Sequence, residues 1–204
     1  MKINKKKFIY LISPNKITQN FYNNLKLVLK TNKVGIFQMR FKKYSMKQKI
    51  LIGKKVKLIC AANKVYFLIN DDPWLTKILD ADGCHLGQSD MNIKKARHII
   101  GNKIIGITCH NSIRLAKIAI KSKADYIAFG AFYVTKTKKT KYQATTKILN
   151  ELNRISNIPI VAIGGINSNN YKNLLLNKAN FLAISSYIWN NKNYKPQQAV
   201  KLLK

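Results

Sequence analysis

The sequence predicts an α/β protein, a (β/α)8 TIM barrel folded as one compact domain over residues 1–204. Short apolar runs rich in β-branched and aromatic residues alternate with longer stretches of helical spacing along the whole chain. The alternation gives eight strand–helix units with no linker, low-complexity tract or composition shift between them. Each crossover helix covers a face of the sheet, so the strands should run parallel and be buried on both sides. At 204 residues the chain is long enough for one large core and close to the lower size limit of a closed barrel, so insertions must be few.

Residues 7–12 form the first strand, ending at Ser13-Pro14, and residues 19–30 follow with Phe21, Leu25 and Leu29 on one helical face. Residues 34–40 are the second strand. Ser45 is an N-cap for a helix reaching Ala62. The third strand is 64–70, followed by a short helix near 74–79; the fourth is 83–86, with a helix over about 93–100. The fifth strand is 103–108, and Ser112 caps a helix to about Ser122. The sixth strand is 125–129, with a helix near 145–155. The seventh is 158–163, with Ser168 capping a helix to about Leu176. The eighth strand is 181–185, and the last helix lies near 197–203.

The composition excludes several classes. No apolar run approaches the ~18 residues of a membrane span, and the start of the chain, with its Lys5-Lys-Lys7, is not a signal peptide. Cys60, Cys84 and Cys109 are widely spaced in apolar segments, which fits reduced core thiols of a cytoplasmic protein and no cysteine metal site. The net charge of +31 comes from 34 lysines and only 4 arginines. A nucleic-acid surface favours arginine for bidentate phosphate and base contacts. The skew fits codon drift in an AT-rich genome, so no specific nucleic acid and no membrane are expected as partners. A homo-oligomer is compatible with the sequence. With only seven carboxylate side chains in the chain, each one at a strand end is a candidate for a role.

In a barrel of this kind, chemistry belongs at the C-terminal ends of the strands. The run 126–130 stops at Gly130, and beyond it Thr135-Lys-Thr-Lys138 opens a polar loop suited to a polyanion, above all a pyrophosphate. The other strand ends carry Gln38, Arg40 and Lys42; Asn70 and Asp71; Gln88 and Asp90; Thr108 and His110; Gly164 and Gly165; and Ser185 and Ser186.

Six blocks, in order and with consistent spacing, carry a family resemblance. They are Gln38-Met-Arg-Phe-Lys42, Phe67-Leu-Ile-Asn-Asp71, Asp82-Gly-Cys-His-Leu-Gly-Gln-Ser-Asp90, Gly106-Ile-Thr-Cys-His110, Thr135-Lys-Thr-Lys138 and Val161-Ala-Ile-Gly-Gly-Ile166. Together they resemble the thiamine phosphate synthase family. The resemblance implies a TIM-barrel transferase that couples hydroxymethylpyrimidine pyrophosphate to thiazole phosphate and releases pyrophosphate, with Mg²⁺ as cofactor. Its small-molecule partners are then the pyrimidine pyrophosphate and the thiazole phosphate. The implied metal carboxylates are Asp71 and Asp90, hard oxygen donors of the kind Mg²⁺ takes. Their structural alternatives are helix caps, Asp71 before Pro73 and Asp90 before the helix that follows it. The implied pyrophosphate contacts are Arg40, Lys42 and Lys138, cations where charge builds on the leaving group. Gln38, Asn70 and Thr108 match positions around the pyrimidine. Thr135 and Thr137 match the thiazole phosphate side, and Gly165, Ser185 and Ser186 its phosphate cradle. His85 is expected to be a structural strand residue.

Three departures from the family pattern bear on the fold. Phe41 stands where many members carry Glu, and strand alternation should turn it away from the barrel interior. Ala131 and Val134 replace prolines around the Thr-Lys-Thr-Lys loop. Phe181 replaces a small residue and should alter packing near the second phosphate loop. The competing readings are a thiazole tautomerase-like paralogue on the same barrel and a basic RNA-binding protein.

Overall fold

The computed structural model describes residues 6–135 and 141–203. Eight parallel strands close into a barrel in sequence order. They are β1 (Ile9–Ile12), β2 (Val34–Met39), β3 (Tyr66–Asn70), β4 (Gly83–Leu86), β5 (Ile104–Thr108), β6 (Tyr126–Gly130), β7 (Ile160–Ile163) and β8 (Phe181–Ile184). Between them run α1 (Phe21–Leu29), α2 (Met46–Ala62), α3 (Pro73–Ile78), α4 (Ile93–Ile100), α5 (Ile113–Lys121), α6 (Thr146–Ile155) and α7 (Tyr171–Leu176). After β8 come a single turn, α8 (Ser186–Trp189), and then α9 (Pro196–Lys201).

Strand alternation divides the core in two. Tyr10, Ile12, Ile36, Leu68, Tyr126, Ala128, Val161, Phe181 and Ala183 fill the barrel. The intervening residues, such as Ile9, Leu11, Phe37 and Met39, face the helices in a larger outer layer. Phe41 belongs to that outer layer, with its ring 6.3 Å from Phe21 and 5.1 Å from Tyr44, as alternation from Gln38 and Arg40 requires.

Helix starts are set by local side-chain chemistry. Ser45 forms a reciprocal capping box with Gln48, and Ser112 accepts from the Leu115 amide at 3.3 Å. Ser168 does not cap α7, which starts at Tyr171 after Asn170. The Ser168 hydroxyl instead donates to the neighbouring Asn169 side chain, and Asn170 Nδ2 donates to the Gly165 carbonyl. The turn α8 has no counterpart in the sequence-based expectation, since four residues are too few to set up a periodic pattern.

The N-terminal end of the barrel uses a repeated tie. The residue before an even-numbered strand accepts the backbone N–H near the start of the strand before it. Asp82 does so for Phe67 at 2.7 Å, Asp125 for Ile105 at 2.8 Å and Asn180 for Ile160 at 2.7 Å. Phe181 lies in this end, at the start of β8 and inside the barrel. Its bulk therefore acts at the opposite end from the Ser185–Ser186 loop, which corrects the expectation that it alters packing there. A cleft at the same end is lined by Lys7, Gly35, Lys57, Lys64, Asp80 and Asp82. Several of its charges are engaged: Lys7 donates to the Asn63 and Lys64 carbonyls, and Asp80 pairs with Lys57 and Lys103.

Candidate active site

The C-terminal ends of the strands gather the sequence-derived candidates that lie among the described residues on one face. Inward alternation along β2 runs Ile36, Gln38, Arg40, and along β3 it runs Leu68, Asn70. Gln38 is 2% exposed, and its Nε2 donates to Asn70 Oδ1 at 2.8 Å. The Gln38 side-chain oxygen and the Asn70 amide nitrogen take no part in that bond.

Two candidates from different strand ends form the anionic part of the site. Asp71 follows β3 in a left-handed backbone conformation, φ +64°, with its N–H donated to the His85 carbonyl at 2.8 Å. Such a conformation is costly for a residue with a Cβ and persists where the surroundings enforce it. Burial raises the Asp71 carboxyl above its ordinary pKa, and the hydrogen-bonded, like-charged Asp90 carboxyl raises it further. Lys42, 3.4 Å away across the mouth of β2, opposes the rise. Asp90 Oδ2 accepts the Gly87 N–H at 2.7 Å and so is held by its own loop. Neither carboxylate caps a helix. Asp72 caps α3, accepting from Leu75 at 2.9 Å, and Asn92 caps α4, accepting from Lys95 at 2.9 Å.

The acidic side chains divide by their place in the barrel. Among the seven acidic side chains, Asp72 caps, Asp82 and Asp125 tie strands, Asp80 binds two lysines and Glu151 is exposed on α6. Asp71 and Asp90, bonded to Lys42 and to the Gly87 N–H, meet at the barrel mouth with their charges in mutual repulsion. A divalent cation relieves that repulsion, and two hard oxygen donors suit Mg²⁺ completed by waters or phosphate. Among the described residues there is no cluster of three or more His, Cys, Asp or Glu side chains fit to hold a metal alone.

Residues that the sequence did not single out hold the mouth together. Ser13, 2% exposed, accepts the Arg40 N–H at 2.9 Å, and its carbonyl accepts the Ser185 hydroxyl at 3.1 Å. Trp189 Nε1 donates to the Ile12 carbonyl at 2.7 Å, anchoring α8 beneath the Ser185–Ser186 loop. A buried serine just past the first strand was the available signal. Gln88, one of the strand-end candidates, adds to these ties: its Nε2 donates to the Thr108 carbonyl at 2.6 Å, tying the β4 loop to the end of β5.

On the far side of the mouth, the loop after β6 is stitched to the end of β7. Phe132 N–H donates to the Ile163 carbonyl and Tyr133 N–H to the Gly164 carbonyl, each at 3.1 Å. Gly164 and Gly165 have φ of +106° and +65°. A Cβ on Gly165 would stand 2.4 Å from the Val134 carbonyl oxygen, so only glycine admits this crossing. Thr135 lies at this edge of the mouth, while Thr137 and Lys138 lie outside the described residues. His110 takes φ +53° after β5 and stacks on Tyr142 with ring centres 4.2 Å apart.

His85, expected to be a structural strand residue, points into the barrel beneath the mouth, with its side chain partly buried. Its Nδ1 lies 2.7 Å from the Tyr126 hydroxyl and its Nε2 lies 2.7 Å from Thr108 Oγ1. Burial pulls its pKa from 6.5 down to about 4, with Asp90 acting weakly in the other direction. Between those two values the unfolded chain binds a proton that the folded chain refuses, so stability falls as the pH falls. The imidazole should cost about 2 kcal/mol of stability on going from pH 7 to pH 5. Chemical denaturation at both pH values measures it, with His85→Gln as reference. Equal pH slopes in the two proteins would contradict the assignment.

Comparison with known proteins places this geometry. The family model described as thiamine monophosphate synthase matches residues 9–188. A thiamine-phosphate synthase of Pelagibacter ubique is 63% identical, over all of both chains. That of Erythrobacter litoralis is 39% identical, covering 94% of this chain and 92% of its own. Among solved structures, a thiamine phosphate pyrophosphorylase from Pyrococcus furiosus superposes with a TM-score of 0.86 at 27% identity. It covers 98% of this chain and 94% of its own.

Proposed function

The chain belongs to the thiamine monophosphate synthase family, and from that premise we propose that this barrel mouth joins hydroxymethylpyrimidine pyrophosphate to thiazole phosphate. The products are thiamine phosphate and pyrophosphate. The observation that carries the reading is the juxtaposition of Asp71 and Asp90 with Lys42 and Arg40 on adjoining strand ends. Hard oxygen ligands beside cations suit a magnesium-bound pyrophosphate and little else at this density.

The reaction asks for little acid–base chemistry. The bond from the pyrimidine methylene to the pyrophosphate oxygen breaks, both electrons leave with the pyrophosphate, and the thiazole nitrogen supplies the pair for the new C–N bond. Arg40 and Lys42 stabilise the charge that grows on the departing oxygens, where preorganised cations act on the transition state. On the family pattern Lys138 joins them at the pyrophosphate, and Thr137 goes with Thr135 on the thiazole phosphate side. When bound between Asp71 and Asp90, Mg²⁺ would neutralise part of the pyrophosphate charge. Thr135, Gly165, Ser185 and Ser186 would receive the thiazole phosphate on the opposite side of the mouth. A coupling assay with both substrates, with and without Mg²⁺, tests the whole reading, and absence of thiamine phosphate would refute it.

Gln38 and Asn70 would read the aminopyrimidine edge through the polar atoms their mutual hydrogen bond leaves over. Gln38→Leu removes one of those atoms and leaves the partly buried Asn70 oxygen without its donor. The expected result is a rise of about 10- to 100-fold in KM for the pyrimidine pyrophosphate, matching the ~1–3 kcal/mol of an unsatisfied buried polar group. KM for the thiazole phosphate should hardly change. Steady-state kinetics with each substrate varied in turn checks the split.

A further inference from the structure

A line of hydrogen bonds runs inside the barrel from its middle to its mouth: Tyr10 to Tyr126 at 2.8 Å, Tyr126 to His85 Nδ1 at 2.7 Å, and His85 Nε2 to Thr108 Oγ1 at 2.7 Å. The register explains why the line exists. His85 pairs with Gly106 across β4 and β5, and Gly106 pairs with Tyr126 across β5 and β6. With no side chain on Gly106, the Tyr126 ring lies across it and stacks on the imidazole, with centroids 5.5 Å apart and planes within 18°.

The direction of the protons follows from the inner end of the line. Tyr10 is 1% exposed and sits among Ile12, Ile36, Val161 and Ala183. Among the described residues its hydroxyl has one hydrogen-bond partner, Tyr126. A hydroxyl proton in apolar surroundings without an acceptor is expensive, so Tyr10 donates to the Tyr126 oxygen. Tyr126 must then give its own proton to His85 Nδ1. An uncharged imidazole that accepts at Nδ1 carries its proton on Nε2, and that proton is donated to Thr108 Oγ1. The Thr108 oxygen accepts that proton on one of its two lone pairs, so its own proton cannot go to the imidazole and is left to donate toward the barrel mouth.

We propose that His85 is a positioning residue, locked as its Nε2–H tautomer by Tyr126 and Tyr10, which frees the Thr108 hydroxyl proton for donation to an acceptor atom of the pyrimidine pyrophosphate. The inference rests on the reading of the site given above. It adds a role for three barrel-interior residues that touch no substrate.

Two measurements test it. The chain has three histidines, so the imidazole nitrogens of the ¹⁵N-labelled protein can be assigned one by one. His85 is expected to show a bare Nδ1 and a protonated Nε2 in the free wild-type protein, and Tyr126→Phe is expected to mix the two tautomers. A protonated Nδ1 in the wild type overturns the proposal. The second measurement is a double-mutant cycle on kcat/KM. His85→Leu should lower it by about 10- to 100-fold, the range for removing an orienting partner behind a functional group. His85→Gln, whose amide can donate to Thr108 and accept from Tyr126, should recover most of the loss. In a Thr108→Val background the change at His85 should have under about twofold further effect, because the group it orients is gone. Full additivity would mean that His85 only supports packing, and would also overturn the proposal. The tautomer is read without substrate, so its outcome stands apart from any failure of the coupling assay.

Discussion

Asp90→Ala is expected to lower turnover by about 10²- to 10³-fold while leaving the barrel folded. The size is that of removing one preorganised electrostatic contact from a transition state that develops charge. Asp90 has two functions in the structure. Its Oδ2 holds the Gly87 N–H, and its charge faces Asp71. Losing the first leaves one amide in a partly exposed loop without its acceptor, a cost of about 1 kcal/mol to the fold. Helix α4 is untouched, because Asn92 caps it. Losing the second halves the oxygen donors available to a divalent ion. Asp90→Asn separates the two effects, since its amide oxygen can still accept from Gly87 but carries no charge. Both variants should therefore lose activity, and Asn should keep the stability that Ala gives up. The Asp71 pKa should fall in both, because the like charge that helps to raise it is gone. Activity assays at limiting Mg²⁺, with circular dichroism for the fold, decide the matter. A folded Asp90→Ala enzyme with full turnover at limiting Mg²⁺ would remove Asp90 from the site.

What could be read in the sequence follows the range of the interactions involved. Strand alternation is local, so the inward set Gln38, Arg40 and Asn70 and the outward Phe41 were legible from spacing. The caps at Ser45 and Ser112 were legible for the same reason. Ser168 was misassigned because Asn170 competes for the same turn and the helix starts after it. The cap before Pro73, read in the sequence as an alternative for Asp71, falls to Asp72, whose carboxylate turns back to the Leu75 N–H, and only the three-dimensional turn decides this. Asp82 and Asp125 were invisible as strand ties, because each bonds a strand 15 or 20 residues away. His85 looked like an ordinary strand residue in sequence. Its bonds to Tyr126 and Thr108 span 41 and 23 residues and exist only once the barrel has closed.

Gly106→Ala should be among the most damaging single-methyl changes in the protein. A Cβ at this position would stand 1.8 Å from Tyr126 Cζ and within 2.3 Å of both Cε atoms. The ring has nowhere to go. It is fully buried, it is packed against His85, and its hydroxyl is fixed between Tyr10 and His85. Relief requires either the strand β5 to bow outward or the ring to leave its slot, breaking two buried hydrogen bonds. Overpacking of this kind costs about 1–3 kcal/mol, and each stranded buried polar group adds about 1–3 kcal/mol. A total loss of about 3 kcal/mol or more is therefore expected, which for a chain of this length lowers Tm by roughly 6–12 °C. Turnover of the surviving folded enzyme should fall as well, because Thr108 loses the imidazole that orients it. The control is Gly106→Ala combined with Tyr126→Leu, which removes the atoms the new methyl would strike. The double variant should regain part of the lost Tm relative to Gly106→Ala alone, although Tyr126→Leu by itself is destabilising. Thermal unfolding of the four proteins measures the coupling. Simple addition of the two losses would show that the methyl is absorbed elsewhere and that the ring does not depend on Gly106 for its place.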